Sequence, residues 1–174
     1  MSTLKVNAIQ NLSSQNNLGR VLQVVTAEKL DTATTANDGD NPYYFLNATI
    51  TPASTSSKVV VMCNGHFGSN GNNAGIIYVA RGNTVLRRGN AAGVRPRSTS
   101  TWMHTGNNWQ IFPVHVSLLD APSTTSAITY KLRWLAESGG NTKYLNRSVY
   151  DMSNNVNHSE RTCSTITLLS LIHI

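Results

Sequence analysis

From Ala127 to Glu137 the chain alternates between apolar and polar side chains with a period of two. Ile128, Tyr130, Leu132, Trp134 and Ala136 fall on one side, with Thr129, Lys131, Arg133 and Glu137 opposite; Leu135 is the one apolar exception. Successive side chains of a strand point to opposite faces, so this pattern predicts a strand with one face buried and one wet. The C-terminus repeats it, with Ile166, Leu168, Ser170, Ile172 and Ile174 alternating with Thr165, Thr167, Leu169, Leu171 and His173. Both faces are mostly apolar near the end, which predicts a strand central in its sheet. Leu169 and Leu171, on the second face, would then need covering by another copy of the chain.

Further strands follow from the same rule. Val59 to Phe67 is a buried candidate, entered through the turn-forming run from Thr51 to Ser57. Ile76 to Arg88 splits at Gly82-Asn83, a two-residue signal for a tight hairpin. In Gln110 to Leu119, Phe112, Val114, Val116 and Leu118 share a face, and Pro113 implies an edge position or a bulge. The turn from Asp120 to Ser123 ends that run. Weaker strands are Val21–Val25, Tyr43–Ile50 and Lys143–Val149. No window of about 12 residues carries a 3.6-residue period, so the expectation is about eight or nine short strands and no helix. That combination predicts an all-β, antiparallel β-sandwich or jelly roll.

Residues 1–20 differ from the rest. Leu4, Val6 and Ile9 are apolar, the following stretch to Arg20 is polar, and the segment is too short to make a core of its own. It reads as an extended N-terminal arm that attaches to something else, through Leu4, Val6 and Ile9, ahead of one sandwich domain at 21–174. Nothing approaches 18 consecutive apolar residues, which argues against membrane insertion, and residues 1–20 lack the apolar region of a signal peptide. Synthesis and retention in a cytosol-like compartment are expected.

Charge is sparse and uneven. Charged residues are 13% of the chain, about half the usual share. Between Asp40 and Asp120 there is no acidic residue, yet that stretch holds Lys58, Arg81, Arg87, Arg88, Arg95 and Arg97. Such a field attracts an acidic partner surface or a polyanion. Aromatic side chains do not interleave with these arginines as a stacking platform for nucleic acid requires, so the basic patch of Arg81, Arg87, Arg88, Arg95 and Arg97 is assigned to an acidic partner. Arg81 and Arg87 flank the Gly82-Asn83 turn, while Arg95 and Arg97 straddle Pro96.

No constellation for catalysis emerges. His66, His104, His115, His158 and His173 are scattered without metal-ligand spacing, so neither a metal nor a cofactor is expected. Gly68-Ser69-Asn70-Gly71 lacks the strand-turn-helix setting of a nucleophile elbow. Asp120 reads as a turn residue and Glu137 as a strand end, and with so few carboxylates no acid–base pair is assigned. The loop from Gly68 to Gly75 reads equally as a recognition loop or a plain connection. Cys63 and Cys163 each sit in a strand-like run, where two small buried thiols are favoured over a disulfide.

Four stretches carry a resemblance. Ser2-Thr-Leu-Lys-Val-Asn-Ala-Ile-Gln10, Ile50-Thr-Pro-Ala-Ser-Thr-Ser-Ser-Lys-Val-Val60, Leu119-Asp-Ala-Pro-Ser-Thr-Thr-Ser-Ala-Ile-Thr-Tyr-Lys131 and Cys163-Ser-Thr-Ile-Thr-Leu-Leu-Ser-Leu171 with its run to Ile174 occur in this order. Together they resemble small virion structural or fibre proteins of tailed phages, particularly those of cyanophages and marine phages. The resemblance implies a jelly-roll knob similar to the trimeric heads of the complement and tumour-necrosis-factor type, and it supplies no binding residues. The expected protein is thus a non-enzymatic bacteriophage structural component on the outer surface of the virion. It would be a homotrimer held to other virion proteins by its arm, as a tail fibre or appendage contacting a host surface receptor. The alternative is a capsid decoration (cement) protein. Both would be made in the host cytoplasm.

Overall fold

The computed structural model describes residues 20–36, 43–136, 141–152 and 159–172. Eleven strands run along them: β1 (Arg20–Lys29), β2 (Ala33–Thr35), β3 (Tyr43–Ile50), β4 (Lys58–Ser69), β5 (Asn72–Arg81) and β6 (Thr84–Leu86), then β7 (Ser100–Thr105), β8 (Phe112–Asp120), β9 (Ile128–Ala136), β10 (Lys143–Leu145) and β11 (Ser164–Ile172). There is no helix among the described residues. The N-terminal arm with Leu4, Val6 and Ile9 lies outside them, and β1 starts at Arg20, the last residue assigned to that arm.

The strands form two antiparallel sheets. The first runs β1-β11-β4, with β8 on the other side of β4 and the short β10-β2 pair continuing beyond β11 along β4. The second runs β3-β9-β5, with β6 and β7 both on the far side of β5. Pairing is nested: β1 with β11, β3 with β9, β4 with β8 and β5 with β7. A long hairpin rolled into two facing sheets gives that nesting, so the expected β-sandwich is observed with the strand order of a jelly roll.

Alternation decides what each sheet buries. From the first sheet, Val59, Val61, Cys63 and Phe67 of β4, Ile166 and Leu168 of β11, and Val114 and Val116 of β8 enter the core. From the second come Leu46, Ala48 and Ile50 of β3, Ile77 and Val79 of β5, and Ile128, Tyr130, Leu132 and Trp134 of β9. Each large aliphatic or aromatic side chain removed from water contributes about 1.5–3 kcal/mol, which makes this shared layer the main source of stability. In β3 the register slips between Tyr44 and Leu46, and that bulge lets Phe45 and Leu46 both be buried.

One end of the core is aromatic. Phe67 stacks on Trp102 at 4.6 Å between centroids and meets Phe45 edge-on at 5.4 Å and Trp134 at 5.2 Å. Two strand glycines make room. A Cβ on Gly75 would lie 1.7 Å from the Trp102 ring, which is its cross-strand neighbour, and one on Gly65 would lie 2.8 Å from Phe67. Glycine inside a strand marks such an approach.

Several expectations are corrected. β2 and β7 were not anticipated. The Lys143–Val149 run supplies only three strand residues before Asn146 turns with φ 58. Cys63 is buried, whereas Cys163 is exposed; both are free thiols.

Candidate partner-binding surface

Four of the five arginines assigned from sequence come together in one loop. Between Leu86 and Ser100 the chain reads Arg-Arg-Gly-Asn-Ala-Ala-Gly-Val-Arg-Pro-Arg-Ser-Thr, with two glycines and a proline that interrupt strand pairing. The loop is nonetheless braced. Gly89 N donates to Ser98 O at 3.1 Å, Arg95 N to Ala92 O at 3.3 Å, and Arg97 Nε to Gly89 O at 2.6 Å. At its base the Thr99 hydroxyl donates to Leu86 O at 3.1 Å and accepts from Val79 N at 3.3 Å. Arg87, Arg88, Arg95 and Arg97 are all exposed, and none has an ion-pair partner among the described residues.

Arg87 turns the chain out of β6 with φ 47, a left-handed conformation that strains a non-glycine residue. The turn carries its guanidinium across to β8, where Nη2 donates to the Leu119 carbonyl at 3.2 Å.

Arg81 is separate. It ends β5, and its Nη1 lies 3.0 Å from Asp120 Oδ2 at the end of β8. The same oxygen accepts from the Tyr130 hydroxyl at 2.7 Å. Burial, then the hydrogen bond to Asp120, raises the Tyr130 phenol well above its ordinary value. Asp120, read from sequence as a turn residue, is thus a strand end that neutralises Arg81, and the basic patch shrinks to the four loop arginines.

Beside the loop lies a groove of about 500 Å³, lined by Arg87, Thr99 and residues 115–119. It follows the side of β8 that faces away from β4, at the margin where the two sheets part. Pro113 was the sequence signal for that edge. The groove itself was not anticipated, because it needs a loop and a strand brought together by the fold.

A second surface is apolar. Val24 pairs with Leu169, Leu169 with Val60, and Val60 with Leu119, so one row crosses β1, β11, β4 and β8 on the outer face of the first sheet. Val24 is 60% and Leu119 48% exposed, and Val21 and Leu22 continue the apolar surface toward the start of β1.

No known protein family matches this chain, and no curated protein is similar to it. Among solved structures it is similar to a chain in the infectious bursal disease virus Gx strain structure, at 14% identity and a TM-score of 0.41, over 100% of this chain and 41% of that one. The infectious bursal disease virus VP2 subviral particle gives 12% identity and a TM-score of 0.39, over 98% and 43%. The chain spans less than half the length of either.

Proposed function

We propose that this chain is a structural protein on the outer surface of a bacteriophage particle. It acts as a homotrimeric β-sandwich knob, held to other virion proteins by Leu4, Val6 and Ile9 of its arm, in a tail fibre or appendage that meets the host surface. The observation that carries the reading is the apolar row Val24–Leu169–Val60–Leu119 on an outer sheet face. An outward row meant for water carries polar side chains, whereas this one repeats apolar residues across four strands, with Val24 and Leu119 exposed and Val60 and Leu169 partly buried in a single chain. Symmetric copies remove such a surface from water. The phage reading itself rests on the four sequence stretches that resemble virion proteins.

Sedimentation equilibrium of the full chain tests it. A trimer at micromolar concentration is expected, and it should dissociate when Leu169 and Val60 are both replaced by Lys. A clean monomer of the parent protein would overturn the knob reading. Copy number in purified particles then separates the two placements: a few dozen or fewer for an appendage, hundreds for capsid decoration.

A further inference from the structure

The backbone of β8 has one satisfied side and one open side, and the register shows which residues face which way. Asn146 N donates to His66 O at 2.9 Å from the side of β4 where β10 lies. Even-numbered residues of β4 therefore direct their backbone groups away from β8, and odd-numbered ones toward it. Odd residues of β4 pair with Phe112, Val114, Val116, Leu118 and Asp120. The backbone groups of residues 113, 115, 117 and 119 must then point to the open side. Two observations agree. Pro113, which has no N–H, occupies one of these positions, where no ladder bond is lost. Leu119 offers its carbonyl outward to Arg87 Nη2. His115 and Ser117 are left with backbone donors and acceptors that have no partner among the described residues.

The space beside them is the groove of about 500 Å³ whose other wall is Arg87 and Thr99. An unpaired strand edge along a groove accepts an extended segment as an added strand, with main-chain bonds giving affinity and flanking side chains giving selectivity. The flanking charge is one-signed. Arg87, Arg88, Arg95 and Arg97 are exposed on the adjoining loop, and Asp120, the acidic group at that end, is held by Arg81 and Tyr130. A second copy would bring another basic loop rather than a complementary one.

We infer that the open edge of β8 binds an extended, acidic segment of another protein as an added strand. Its main chain pairs with His115 and Ser117, and its carboxylates meet Arg87 and the other loop arginines. Guanidinium forks suit carboxylates because two parallel N–H donors match two oxygens. The inference deepens the reading of the basic loop as a contact with an acidic partner, and rests on that reading only for the partner's charge.

The test uses the full chain and a synthetic peptide of alternating valine and glutamate, with a valine–glutamine peptide as uncharged control. Amide hydrogen exchange should slow at His115 and Ser117 when the glutamate peptide is added, and much less with the control. Replacing Arg87, Arg88, Arg95 and Arg97 by Gln should weaken binding at least tenfold, as should raised salt. Ser117→Pro removes an outward N–H without touching the bonds to β4, and should abolish binding while near-ultraviolet circular dichroism stays native. Should that variant not fold, the exchange pattern and the arginine variant still decide. Equal binding of both peptides, or no protection at His115 and Ser117, would overturn the proposal. So would protection that depends on protein concentration alone, which points to a second copy, or tighter binding of a DNA oligonucleotide at the same amides. Sedimentation of the same samples reads the trimer separately, so either proposal can fail without the other.

Discussion

The outer faces of the two sheets obey the same alternation and are filled with different chemistry. On the second sheet Lys131 Nζ lies 4.8 Å from the centre of the Tyr44 ring, and the Arg133 guanidinium 5.0 Å from that of Tyr78. The hydroxyls of Thr49 and Thr129 lie 2.8 Å apart across the β3–β9 pair. Cross-strand neighbours there pair with one another, although Arg133 Nε is buried without a hydrogen-bond partner among the described residues. On the first sheet one outward row holds Val24, Leu169, Val60 and Leu119, which have nothing polar to offer, beside a row in which the Thr26 and Thr167 hydroxyls lie 3.3 Å apart. Strand alternation dictates which side chains leave the core; their chemistry then separates a face whose neighbours pair with one another from one that exposes an apolar row.

If the contrast belongs to the outer faces alone, the inner faces of the two sheets should be equally dry, and high pH tests that most severely. Cys63 of the first sheet has its thiol pushed up from 9.0 to about 12 by burial, and Tyr130 of the second is raised as well. In the unfolded chain the thiol ionises from about pH 9, whereas in the folded chain it keeps its proton to about pH 12. The unfolded state then binds fewer protons, so stability is unaffected below pH 9 and falls as pH rises from 9 to 12. The ceiling of that loss is about 4 kcal/mol for the thiol. Tyr130 adds a loss of the same sign from about pH 10 upward. Urea midpoints measured from pH 8 to 11 should fall, less steeply in Cys63→Ala and in Tyr130→Phe. A slope unchanged by Cys63→Ala would mean that water reaches the inner face of the first sheet.

A smaller effect is expected where the first sheet does use polar groups, at its β10 end. Asn146 is fully buried, and its Nδ2 donates to the carbonyls of Lys29 and Asp31 at 2.8 and 2.9 Å. Its Oδ1 accepts from the Ser164 hydroxyl at 2.6 Å. One side chain thus ties the β1–β2 turn to the start of β11. Asn146→Ala leaves two carbonyls and a hydroxyl without those bonds and places Ala at φ 58, costing about 2–4 kcal/mol. Asn146→Gly should recover about 1 kcal/mol of that, because glycine adopts the left-handed backbone freely. Equal melting temperatures for the two variants would show that backbone strain is not part of the cost.

How far the sequence reaches follows the same division. β9, β11 and β8 were legible because each carries an unbroken alternation, and the Gly82-Asn83 turn and the edge signal of Pro113 are local. β7 was not legible, since Trp102 is its one buried apolar side chain and that burial depends on Gly75 in another strand. The ion pair of Arg81 with Asp120 and the bonds of Asn146 join residues far apart in the chain, which no spacing rule encodes. The loop arginines were legible as a charge run, but the groove beside them was not. Leu4, Val6 and Ile9 were assigned from local apolarity alone and lie outside the described residues.

The finest test sits on the water-facing side of the second sheet. If that face is complete in one chain, its cross-strand pairs should contribute the same stability whether or not copies are assembled. Arg133 and Tyr78 are direct register partners on β9 and β5, and the guanidinium rests over the ring. A partly buried cation over a tyrosine contributes about 0.5–2 kcal/mol. A double-mutant cycle with Arg133→Gln and Tyr78→Leu isolates that coupling from the other losses of each change. The expected value is the same at protein concentrations below and above the point of self-association. A Val24→Thr and Leu169→Thr cycle on the first sheet should behave otherwise, with coupling that grows as copies assemble. Concentration-dependent coupling in the Arg133–Tyr78 cycle would place the second sheet, too, in a contact between copies, and the distinction between the two faces would fall.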